Sequence, residues 1–428
     1  MVKRDDMIKV GSDFSGVGAF NQALSRLGIE HEHIFACDWD KYARITYTHN
    51  YGEPKYYPKD VYDREIPLES LDVYMTSPPC QSFSLAGKRE GKNSDKGILF
   101  FNSHEFIQKN KPRFFIFENV KGLLSDDEGK TFQEWINMLG GKSVNGLPIL
   151  FPYEDSVPYH IYWQVLNSKK HGVPQNRERV FIVGIRDDED NQFQFPKEEH
   201  LTRRLKDVLE SEVDEKYFLS DQQVQSMVLH TEKKKAEGCG FQFKPKDINE
   251  PYASSITTKA GSRPDDNYLK IKSATSKGFE TATENDSINF SVPNSETRRG
   301  RVGKEVAQTL DTQCNQRVWI GDYRKDEGFR IRADNNSPAI MVMMKDTWSD
   351  KFTGNNPPIV GYDYKIRRLT PRECFRLQDF PDTFDFSCVS DSQAYKQAGN
   401  SITVRVLEKI LRQLPLIYPT NRSSQLLE

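Results

Sequence analysis

The first indication of fold and chemistry comes from the run Asp72-Val73-Tyr74-Met75-Thr76-Ser77-Pro78-Pro79-Cys80-Gln81-Ser82-Phe83-Ser84. Its first residues predict a short buried strand, which Ser77-Pro78-Pro79 ends because proline fixes φ and lacks a backbone donor. Cys80 is thereby held on a stiff turn at the carboxyl end of the strand, where open α/β sheets bind their ligands. A cysteine in that place is either a nucleophile or a residue that merely follows a strand.

The composition is that of a globular protein with its own core. The chain has 428 residues, 36% of them hydrophobic and 29% charged, which fits roughly two or three domains. A formal net charge of −2 means that any surface for nucleic acid has to be local. No apolar run approaches the roughly 20 residues of a membrane span, and the N-terminus lacks the apolar core of a secretory signal. We therefore expect no membrane association.

The cysteines are scattered through the chain and none is paired at C-x-x-C spacing. This pattern predicts neither a zinc site nor a disulfide framework, and it fits a reducing cytoplasm. We accordingly expect no metal. The cysteines are Cys37, Cys80, Cys239, Cys314, Cys374 and Cys388.

The N-terminal region has a nucleotide-binding arrangement. Residues 7–14 predict a strand, Gly16 and Gly18 lie in a turn of small residues, and residues 20–27 have helical spacing. The next predicted strand ends at Asp38, where an acid serves ribose hydroxyls, and Trp39 can stack on a purine. Because the three-glycine fingerprint is incomplete, a purely structural turn is the alternative.

Polar groups also follow the next predicted strands. Asp60 comes after a predicted third strand at 57–59, and a polar loop at 84–95 is positioned to cover a site. Glu118 comes directly after the apolar strand 113–117, where a carboxylate is costly unless it has a partner, so a functional role is favoured.

A pair of arginines opens a later strand. Arg177 and Arg179 lie in Gln175-Asn176-Arg177-Glu178-Arg179, which leads into the apolar residues 180–185. The two guanidinium groups are either surface charges or fixed forks for a polar ligand.

The composition and the pattern of predicted elements change after Arg186. Residues 190–365 contain short β-like segments without βα alternation, which predicts a second domain. Hydroxyl, amide and basic side chains in 254–261 and 298–312 either contact phosphates and base edges or belong to ordinary loops. After this second domain, Thr370 and Pro371 predict a capped helix. Residues 398–401 are expected to begin a last helix over 402–414.

Taken together, these stretches resemble the cytosine-5 DNA methyltransferase family. The resemblance covers almost the whole chain except the region near 190–365. Ala19 and Asp38 depart from it, since the family commonly has a further glycine and usually a glutamate at these positions. The matching motifs are Phe14-Ser15-Gly16-Val17-Gly18, Asp38-Trp39, Asp60, Pro79-Cys80-Gln81, Glu118-Asn119-Val120, Gln175 to Arg179, Thr370 to Leu377 and Gly399-Asn400-Ser401.

The resemblance implies an α/β fold with two parts. A Rossmann-like, S-adenosyl-L-methionine-dependent methyltransferase domain would comprise residues 1–192 and a returning C-terminal helix at 393–428. A smaller, mostly β target-recognition domain with the hinge would comprise residues 193–392.

The resemblance also assigns roles in catalysis. Cys80 would add to carbon 6 of a flipped-out cytosine, Glu118 would protonate its N3, and Arg179 would hold its O2, with Arg177 supporting the loop. S-adenosyl-L-methionine would donate the methyl group and leave as S-adenosyl-L-homocysteine. The residues expected to bind it are Phe14, Ser15, Gly16, Gly18, Asp38, Trp39, Asp60, Pro79, Leu99, Asn400 and Ser401.

The resemblance implies double-stranded DNA as the partner. It also implies a monomeric enzyme that does not associate with a membrane. A cognate restriction endonuclease without a stable complex, or a phage or orphan methylase, fits the same resemblance. The residues expected to contact DNA are Ser84, Lys88, Arg89, Lys92, Thr257, Thr258, Lys259, Arg298, Arg299, Arg301, Thr309 and Leu310.

Three other interpretations remain open. An RNA (tRNA) cytosine-5 methyltransferase of the same superfamily would share the cofactor and Cys80. A catalytically silent DNA-binding protein would retain the fold, although the complete set of Cys80, Glu118 and Arg179 speaks against it. A nicotinamide dehydrogenase would explain only the N-terminal turn.

Overall fold

The computed structural model contains two compact units. It describes residues 7–78, 99–236, 242–247, 249–258, 263, 266–271, 287–289, 302–303, 316–318, 323–324, 328–329 and 365–416. Unit 1 comprises Met1–Val213, Asn249–Asn267 and Leu369–Glu428, and unit 2 comprises Asp214–Ile248 and Tyr268–Arg368.

The predicted boundaries at 192 and 393 do not coincide with these units. Residues 193–213, 249–267 and 369–392, assigned from the sequence to the second domain, lie in unit 1. The reason is visible in the contacts of residues 253–256, which pair with and hydrogen-bond to residues 175–177. Composition did not reveal these contacts because they join segments that are far apart in the chain.

Unit 1 is built on an eight-stranded sheet. Its strand order is β2-β1-β3-β4-β9-β7-β5-β6, in which the first four strands are parallel and β9 runs antiparallel to both β4 and β7. A short strand β8 pairs in parallel with β11 outside this sheet. The strands up to β11 are β1 (Ile8–Asp13), β2 (His31–Cys37), β3 (Val73–Thr76), β4 (Phe114–Val120), β5 (Ser143–Val144), β6 (Leu147–Pro148), β7 (Tyr159–Asn167), β8 (Gln175–Asn176), β9 (Glu178–Arg186), β10 (Lys246–Asp247, unit 2) and β11 (Ala253–Ser254).

The central strands are apolar because both of their faces are covered. All four residues of β3 and the first six of β4 are buried, as expected for parallel strands with helices on both sides. On one face Phe100, Trp135 and Phe117 pack together, with the Phe100 and Trp135 rings stacked at 4.1 Å. This aromatic core fixes the strand ends at which the polar residues lie.

The helices of unit 1 connect and cover these strands. The last of them, α8, packs against α1, which directly follows the first strand. No helix within the described ranges is long and apolar enough to cross a membrane. Numbered together with α5 of unit 2, the α-helices in the described part of the chain are α1 (Ala19–Arg26), α2 (Lys41–Tyr51), α3 (Leu99–Asn110), α4 (Lys130–Leu139), α5 (Asp221–Ala236, unit 2), α6 (Pro371–Leu377), α7 (Asp391–Asn400) and α8 (Val404–Leu411).

The capped helix predicted at Thr370 is present. The Thr370 hydroxyl accepts the Glu373 N–H at 3.2 Å, and the Glu373 carboxylate accepts the Thr370 N–H at 2.8 Å. This reciprocal capping box, with Pro371 at the first helical position, is a local signal and could be recognised from sequence.

Three local predictions were wrong. Glu118 lies within β4 rather than after it, and residues 57–59 form no strand, because only Tyr56 makes an isolated bridge, to Phe35. Residues 398–400 end α7 instead of beginning the last helix, which starts at Val404.

Helix α2 was not predicted, although Asp40 caps it by accepting the N–H groups of Tyr42 and Ala43.

Unit 2 combines short strands with a helix that was not predicted from the sequence. Strand β12 pairs in parallel with β10 and antiparallel with β18, and α5 contributes Val224 to a small cluster around the buried ring of Tyr268. The remaining strands of unit 2 are β12 (Tyr268–Ile271), β13 (Ser287–Asn289), β14 (Val302–Gly303), β15 (Gln316–Val318), β16 (Tyr323–Arg324), β17 (Gly328–Phe329) and β18 (Lys365–Arg368).

A buried ion pair lies at the end of β1. Asp13 is 2.9 Å from Arg64 Nε, both side chains are almost fully buried, and the Tyr74 hydroxyl donates to Asp13 at 2.6 Å. Burial raises the pKa of Asp13, and Arg64 opposes that rise. The guanidinium also lies over the Phe106 ring at 4.7 Å. Removing one charge would therefore leave the other without compensation.

We expect Arg64→Met to lower the free energy of unfolding by about 3–5 kcal/mol at neutral pH, because Asp13 would remain buried without its partner. The loss should be smaller at about pH 5 than at about pH 7, because a raised folded-state pKa makes Asp13 take up a proton more readily as the pH falls, and a neutral carboxyl needs no charged partner. Urea unfolding of the full chain at both pH values measures this difference. Asp13→Leu combined with Arg64→Met is the control, and it should recover most of the stability. A loss below about 1 kcal/mol in the single variant would contradict the assignment.

Candidate active site

The polar residues predicted from three separate strands lie at one edge of the sheet. Strands β1, β3 and β4 are parallel, so Phe14, Ser77 and Glu118 come at or near the same carboxyl edge. The Ser77 hydroxyl donates to the Phe14 carbonyl at 3.5 Å. Buried Pro78 is the last described residue before Cys80. Because β9 runs antiparallel to β4, its second residue, Arg179, lies opposite Val120 at this edge.

Glu118 and Arg179 form an ion pair there. The Arg179 Nε is 3.1 Å from the Glu118 carboxylate, and Glu118 is only 8% exposed. Burial raises the pKa of Glu118, while the nearby Arg179 and Arg177 lower it in part. A raised pKa lets the Glu118 carboxyl group hold a proton more readily than an exposed glutamate does.

Arg177 occupies a different environment from Arg179. It is 3% exposed, and its guanidinium donates to the carbonyls of Ile256, Gly399 and Ser401 at 3.3, 3.1 and 2.9 Å. One side chain therefore ties the start of β9 to the segment after β11 and to the loop between α7 and α8. This arrangement makes Arg177 a residue that fixes main chain.

A buried polar network continues from this point. The side-chain oxygen Oε1 of Gln175 accepts the Ile256 N–H at 3.1 Å, and its side-chain Nε2 donates to the Leu377 carbonyl at 2.5 Å. The Gln378 side chain donates to the Ala398 carbonyl and accepts from the Thr403 hydroxyl, at 2.7 and 3.0 Å. The segments around 175, 256, 378 and 400 thus form one hydrogen-bonded assembly.

Gly399 permits a close approach within this assembly. A side chain there would meet the Thr257 carbonyl oxygen at 2.5 Å and the Thr258 nitrogen at 2.6 Å. Both neighbours are backbone atoms and cannot rotate away, so the position requires glycine although it lies inside α7.

The glycine turn and the acid after β2 are directly bonded. The Asp38 carboxylate accepts the Gly16 N–H at 2.7 Å and the Asp40 N–H at 2.9 Å. Burial raises the pKa of Asp38 to about 6, and these two donors lower it in part. Gly18 has φ +86°, and a side chain there would meet the Tyr51 ring at 2.3 Å, so it too has to be glycine.

The other predicted cofactor residues are placed as follows. The Trp39 ring is 83% exposed, and Asp60 accepts the Tyr62 N–H at 3.0 Å. Leu99 is the first residue of α3 and packs, partly buried, against the core. Asn400 is exposed at the end of α7, whereas Ser401 is buried and its hydroxyl donates to the Ile402 carbonyl.

Only two of the predicted DNA-contacting residues fall in the described part of the chain. The Thr257 hydroxyl donates to the Asp266 carboxylate at 2.9 Å, and Thr258 is exposed. The predicted residues that lie outside the described ranges are Pro79, Cys80, Ser84, Lys88, Arg89, Lys92, Lys259, Arg298, Arg299, Arg301, Thr309 and Leu310.

Two residues near the glycine turn, Arg44 and Tyr57, were not singled out from the sequence as candidate site residues. Arg44 of α2 donates to the Tyr57 and Pro58 carbonyls at 2.8 and 2.9 Å, and its guanidinium lies 3.7 Å from the centre of the Tyr57 ring. The signal available in the sequence was Asp40, a helix-capping residue that begins α2 and places Arg44 one turn later.

Among the residues that the structure describes, no cluster of three or more His, Cys, Asp or Glu could hold a metal ion.

Comparison with known proteins gives consistent matches over most of the chain. The family model for C-5 cytosine-specific DNA methylase matches residues 8–415. The orphan methyltransferase M.SPRI of Bacillus phage SPR is 31% identical over 473 residues, covering 97% of this chain and 99% of the phage protein. The type II methyltransferase M.HpaII of Haemophilus parainfluenzae is 29% identical over 413 residues, covering 95% and 89%.

Solved structures are similar in fold. The Dnmt2 methyltransferase of S. pombe has a TM-score of 0.54 at 14% identity and covers 94% of this chain and 97% of its own. The EhMeth methyltransferase of Entamoeba histolytica has a TM-score of 0.54 at 16% identity and covers 95% and 97%. The α/β fold predicted from the sequence is thereby confirmed.

We expect Gly399→Ala to lower the free energy of unfolding by about 1–3 kcal/mol, because the new methyl group would force backbone at Thr257 to move. Thermal and urea unfolding measure the change. Ser392→Ala, at an exposed position of the same helix, is the matched control and should stay within about 0.5 kcal/mol of the parent chain. Equal stability of the two variants would show that the close approach at Gly399 is not required.

Proposed function

The chain belongs to the C-5 cytosine-specific DNA methylase family and is a DNA methyltransferase, and we propose that it modifies one cytosine within a specific duplex DNA sequence through a covalent Cys80 intermediate. The observation that carries the proposal is the buried Glu118–Arg179 ion pair at the sheet edge towards which the Cys80 strand leads. A polar ring ligand needs such a pair of fixed groups, one able to share a proton and one permanently charged.

The residues near the glycine turn fit S-adenosyl-L-methionine, the methyl donor that the family implies. The Ser15 and Tyr57 hydroxyls are buried without hydrogen-bond partners in the part of the chain that the structure describes. No atom of the described residues lies within 4 Å of where a side chain at Gly16 would begin, and the Trp39 ring is exposed and available for stacking. We infer that Asp38 binds the ribose, Trp39 and Phe14 contact the adenine, and Asp60 accepts from its amino group.

The proposed reaction begins with the thiolate of Cys80. Its lone pair forms the S–C6 bond of cytosine, and the electrons of the C5–C6 double bond shift so that carbon 5 becomes nucleophilic. S-adenosyl-L-methionine, when bound, would supply the methyl group to carbon 5 and would remain as S-adenosyl-L-homocysteine after its S–CH3 bond is broken. Loss of the carbon-5 proton to a base then restores the double bond and expels the thiolate of Cys80.

Glu118 and Arg179 stabilise the ring during the addition. The Glu118 carboxyl, with its pKa raised by burial, shares its proton with N3 as negative charge accumulates. The Arg179 guanidinium holds O2 and keeps Glu118 in place. We assign Arg177 no direct part, because its two terminal nitrogens already donate to main-chain carbonyls and to the Ser255 hydroxyl.

The target has to leave the duplex to reach these groups. Flipping a base costs a few kcal/mol, which contacts in the pocket offset. We propose that residues 84–95 close over the DNA and that unit 2 selects the sequence.

The relatives include an orphan phage methyltransferase and a type II methyltransferase, and we place this enzyme in one of these two settings. Methyl transfer to duplex DNA and to tRNA, measured side by side, separates this proposal from the RNA alternative.

We expect Cys80→Ala to abolish methyl transfer while leaving DNA binding within about threefold, because flipping and phosphate contacts do not use the sulfur. Wild-type enzyme should form a denaturation-resistant adduct with duplex DNA that contains 5-fluorocytosine at the target, since fluorine cannot leave as the proton does. Mass spectrometry should map the adduct to the peptide that contains Cys80, and only when S-adenosyl-L-methionine is present. An adduct at Cys37 or Cys374 would overturn the mechanism.

We expect Glu118→Gln to reduce kcat by about 10²–10⁴, because the amide can hydrogen-bond to the ring but cannot deliver a proton. Single-turnover methylation of a duplex oligonucleotide measures the chemical step directly. Glu178→Gln is the control, since this neighbouring glutamate is exposed, and it should retain nearly full activity. A loss below about tenfold for Glu118→Gln would exclude a general acid at this position.

We expect affinity for S-adenosyl-L-homocysteine to fall as the pH drops through about 6, the pKa to which burial raises Asp38, because protonation removes the acceptor for the ribose. Calorimetric titration at about pH 7.5 and pH 5.5 tests this. Asp38→Asn should bind more weakly at both values and show no such dependence. Equal wild-type affinity at the two pH values would remove Asp38 from the cofactor site.

A further inference from the structure

The segment that carries Asp60 has no regular secondary structure, yet it is fixed at both ends. Residues 57–64 contain neither helix nor strand. Arg44 of α2 holds the first end, and the buried ion pair of Arg64 with Asp13 holds the second. Irregular loops are the mobile parts of most folds, so two such anchors on one short segment indicate that its position matters.

Arg44 joins this segment to the loop that follows β2. Its guanidinium donates to the carbonyl of Asp38 at 3.4 Å as well as to the carbonyls of Tyr57 and Pro58. The planar fork reaches all three oxygens while its face covers the Tyr57 ring. A lysine ammonium carries the same charge but is a point donor without a planar face, so it cannot reproduce this geometry.

The ring that Arg44 covers points towards the glycine turn. The Tyr57 hydroxyl lies close to that of Ser15 but not in hydrogen-bonding geometry, and both are buried. The Tyr57 ring also packs on the Tyr47 ring, with centroids 5.3 Å apart. Arg44 therefore sets the position of Asp38, Tyr57 and the start of the Asp60 segment at once.

The second anchor keeps the far end of the segment in register with the same turn. Asp13 directly precedes Phe14, and Arg64 also donates to the Asn102 carbonyl of α3 at 3.3 Å. A shift of residues 57–64 would pull against the last residue of β1. The two arginines thus leave the Asp60 segment little freedom relative to the turn.

We propose that Arg44 is a positioning residue for the adenosine part of the cofactor, acting by holding Asp38 and Asp60 at a fixed separation. The inference rests on the proposed function, which assigns these two carboxylates to the ribose and the adenine. The proposed reaction gives Arg44 no role at the methyl group or the cytosine, so its effect is expected on cofactor affinity and not on the chemical step. The energetic gain is preorganisation, since a held loop loses less freedom when its ligand binds.

The side chain can be shortened without opening an internal void. Arg44 and Tyr57 line a depression of about 470 Å³ on the outer side of α2, together with Lys41, Ile45, Thr48, His49 and Glu53. Truncation at Arg44 enlarges this existing depression, so the cost of a buried cavity does not arise. Ile45, the next residue of the helix, is 46% exposed and supplies the matched control.

The experiment is calorimetric titration of full-length Arg44→Ala, Arg44→Lys and Ile45→Ala with S-adenosyl-L-homocysteine. We expect Arg44→Ala to raise Kd by about 10- to 100-fold, Arg44→Lys by about 5- to 20-fold, and Ile45→Ala by less than twofold. Steady-state methylation with saturating cofactor should give an unchanged kcat and an unchanged KM for DNA, with the KM for S-adenosyl-L-methionine raised in parallel with Kd.

The outcomes separate this inference from the proposed function. If wild type binds the product and Arg44→Ala binds it as tightly as Ile45→Ala does, the positioning role is overturned and the proposed function stands. If kcat falls while the KM for the cofactor stays constant, Arg44 acts elsewhere and the inference is also wrong. If wild type does not bind S-adenosyl-L-homocysteine, the proposed function itself fails. Should Arg44→Ala lose its circular dichroism signal, Arg44→Lys decides by the same criteria.

Discussion

The candidate site depends on the burial of one guanidinium group. Arg177 is almost inaccessible to solvent, and a buried charge costs several kcal/mol unless its donors are satisfied. The acceptors come from Ile256 and from the neighbouring residues Gly399 and Ser401, and both places are far from Arg177 in the chain. None of these segments can move alone without leaving a donor unpaired. The interaction therefore makes the start of β9, the segment after β11 and the loop between α7 and α8 a single rigid support.

The same reasoning explains why two arginines separated by one residue have different tasks. Arg177 is enclosed by carbonyls and serves as a support. Arg179 faces Glu118, whose burial raises its pKa, and Arg179 is left half-buried at the sheet edge. From the residue types alone both could be fixed forks, and only the family resemblance divided the roles, with Arg177 supporting the loop. Main-chain carbonyls carry no residue-type signal, so the partners of Arg177 become visible only when remote segments are placed together.

The sequence predicted the parts of the fold whose causes are local. Apolar runs located the central strands to within a few residues, and the Thr370 capping box located α6, because period and caps are properties of neighbouring residues. The failures have non-local causes. Gly399 suggested a helix start, yet it lies inside α7, and the position is glycine because the backbone at Thr257 leaves no space for a side chain. The segment 253–258 was assigned to the second domain by composition, whereas Gln175 and Arg177 bind it into unit 1.

The cofactor side of the site shows why an acid at the end of the second strand is informative even without a complete glycine fingerprint. The Asp38 carboxylate binds the Gly16 N–H directly, so the acid and the turn stabilise each other before any ligand is present. A carboxylate has about four acceptor positions, and two N–H donors leave capacity for a ribose. At 2.7 Å from the Gly16 nitrogen, the side chain is already at hydrogen-bonding distance. A glutamate, longer by one methylene, could keep this bond only if the turn or the end of β2 shifted, so the aspartate is matched to this turn, which has alanine at position 19.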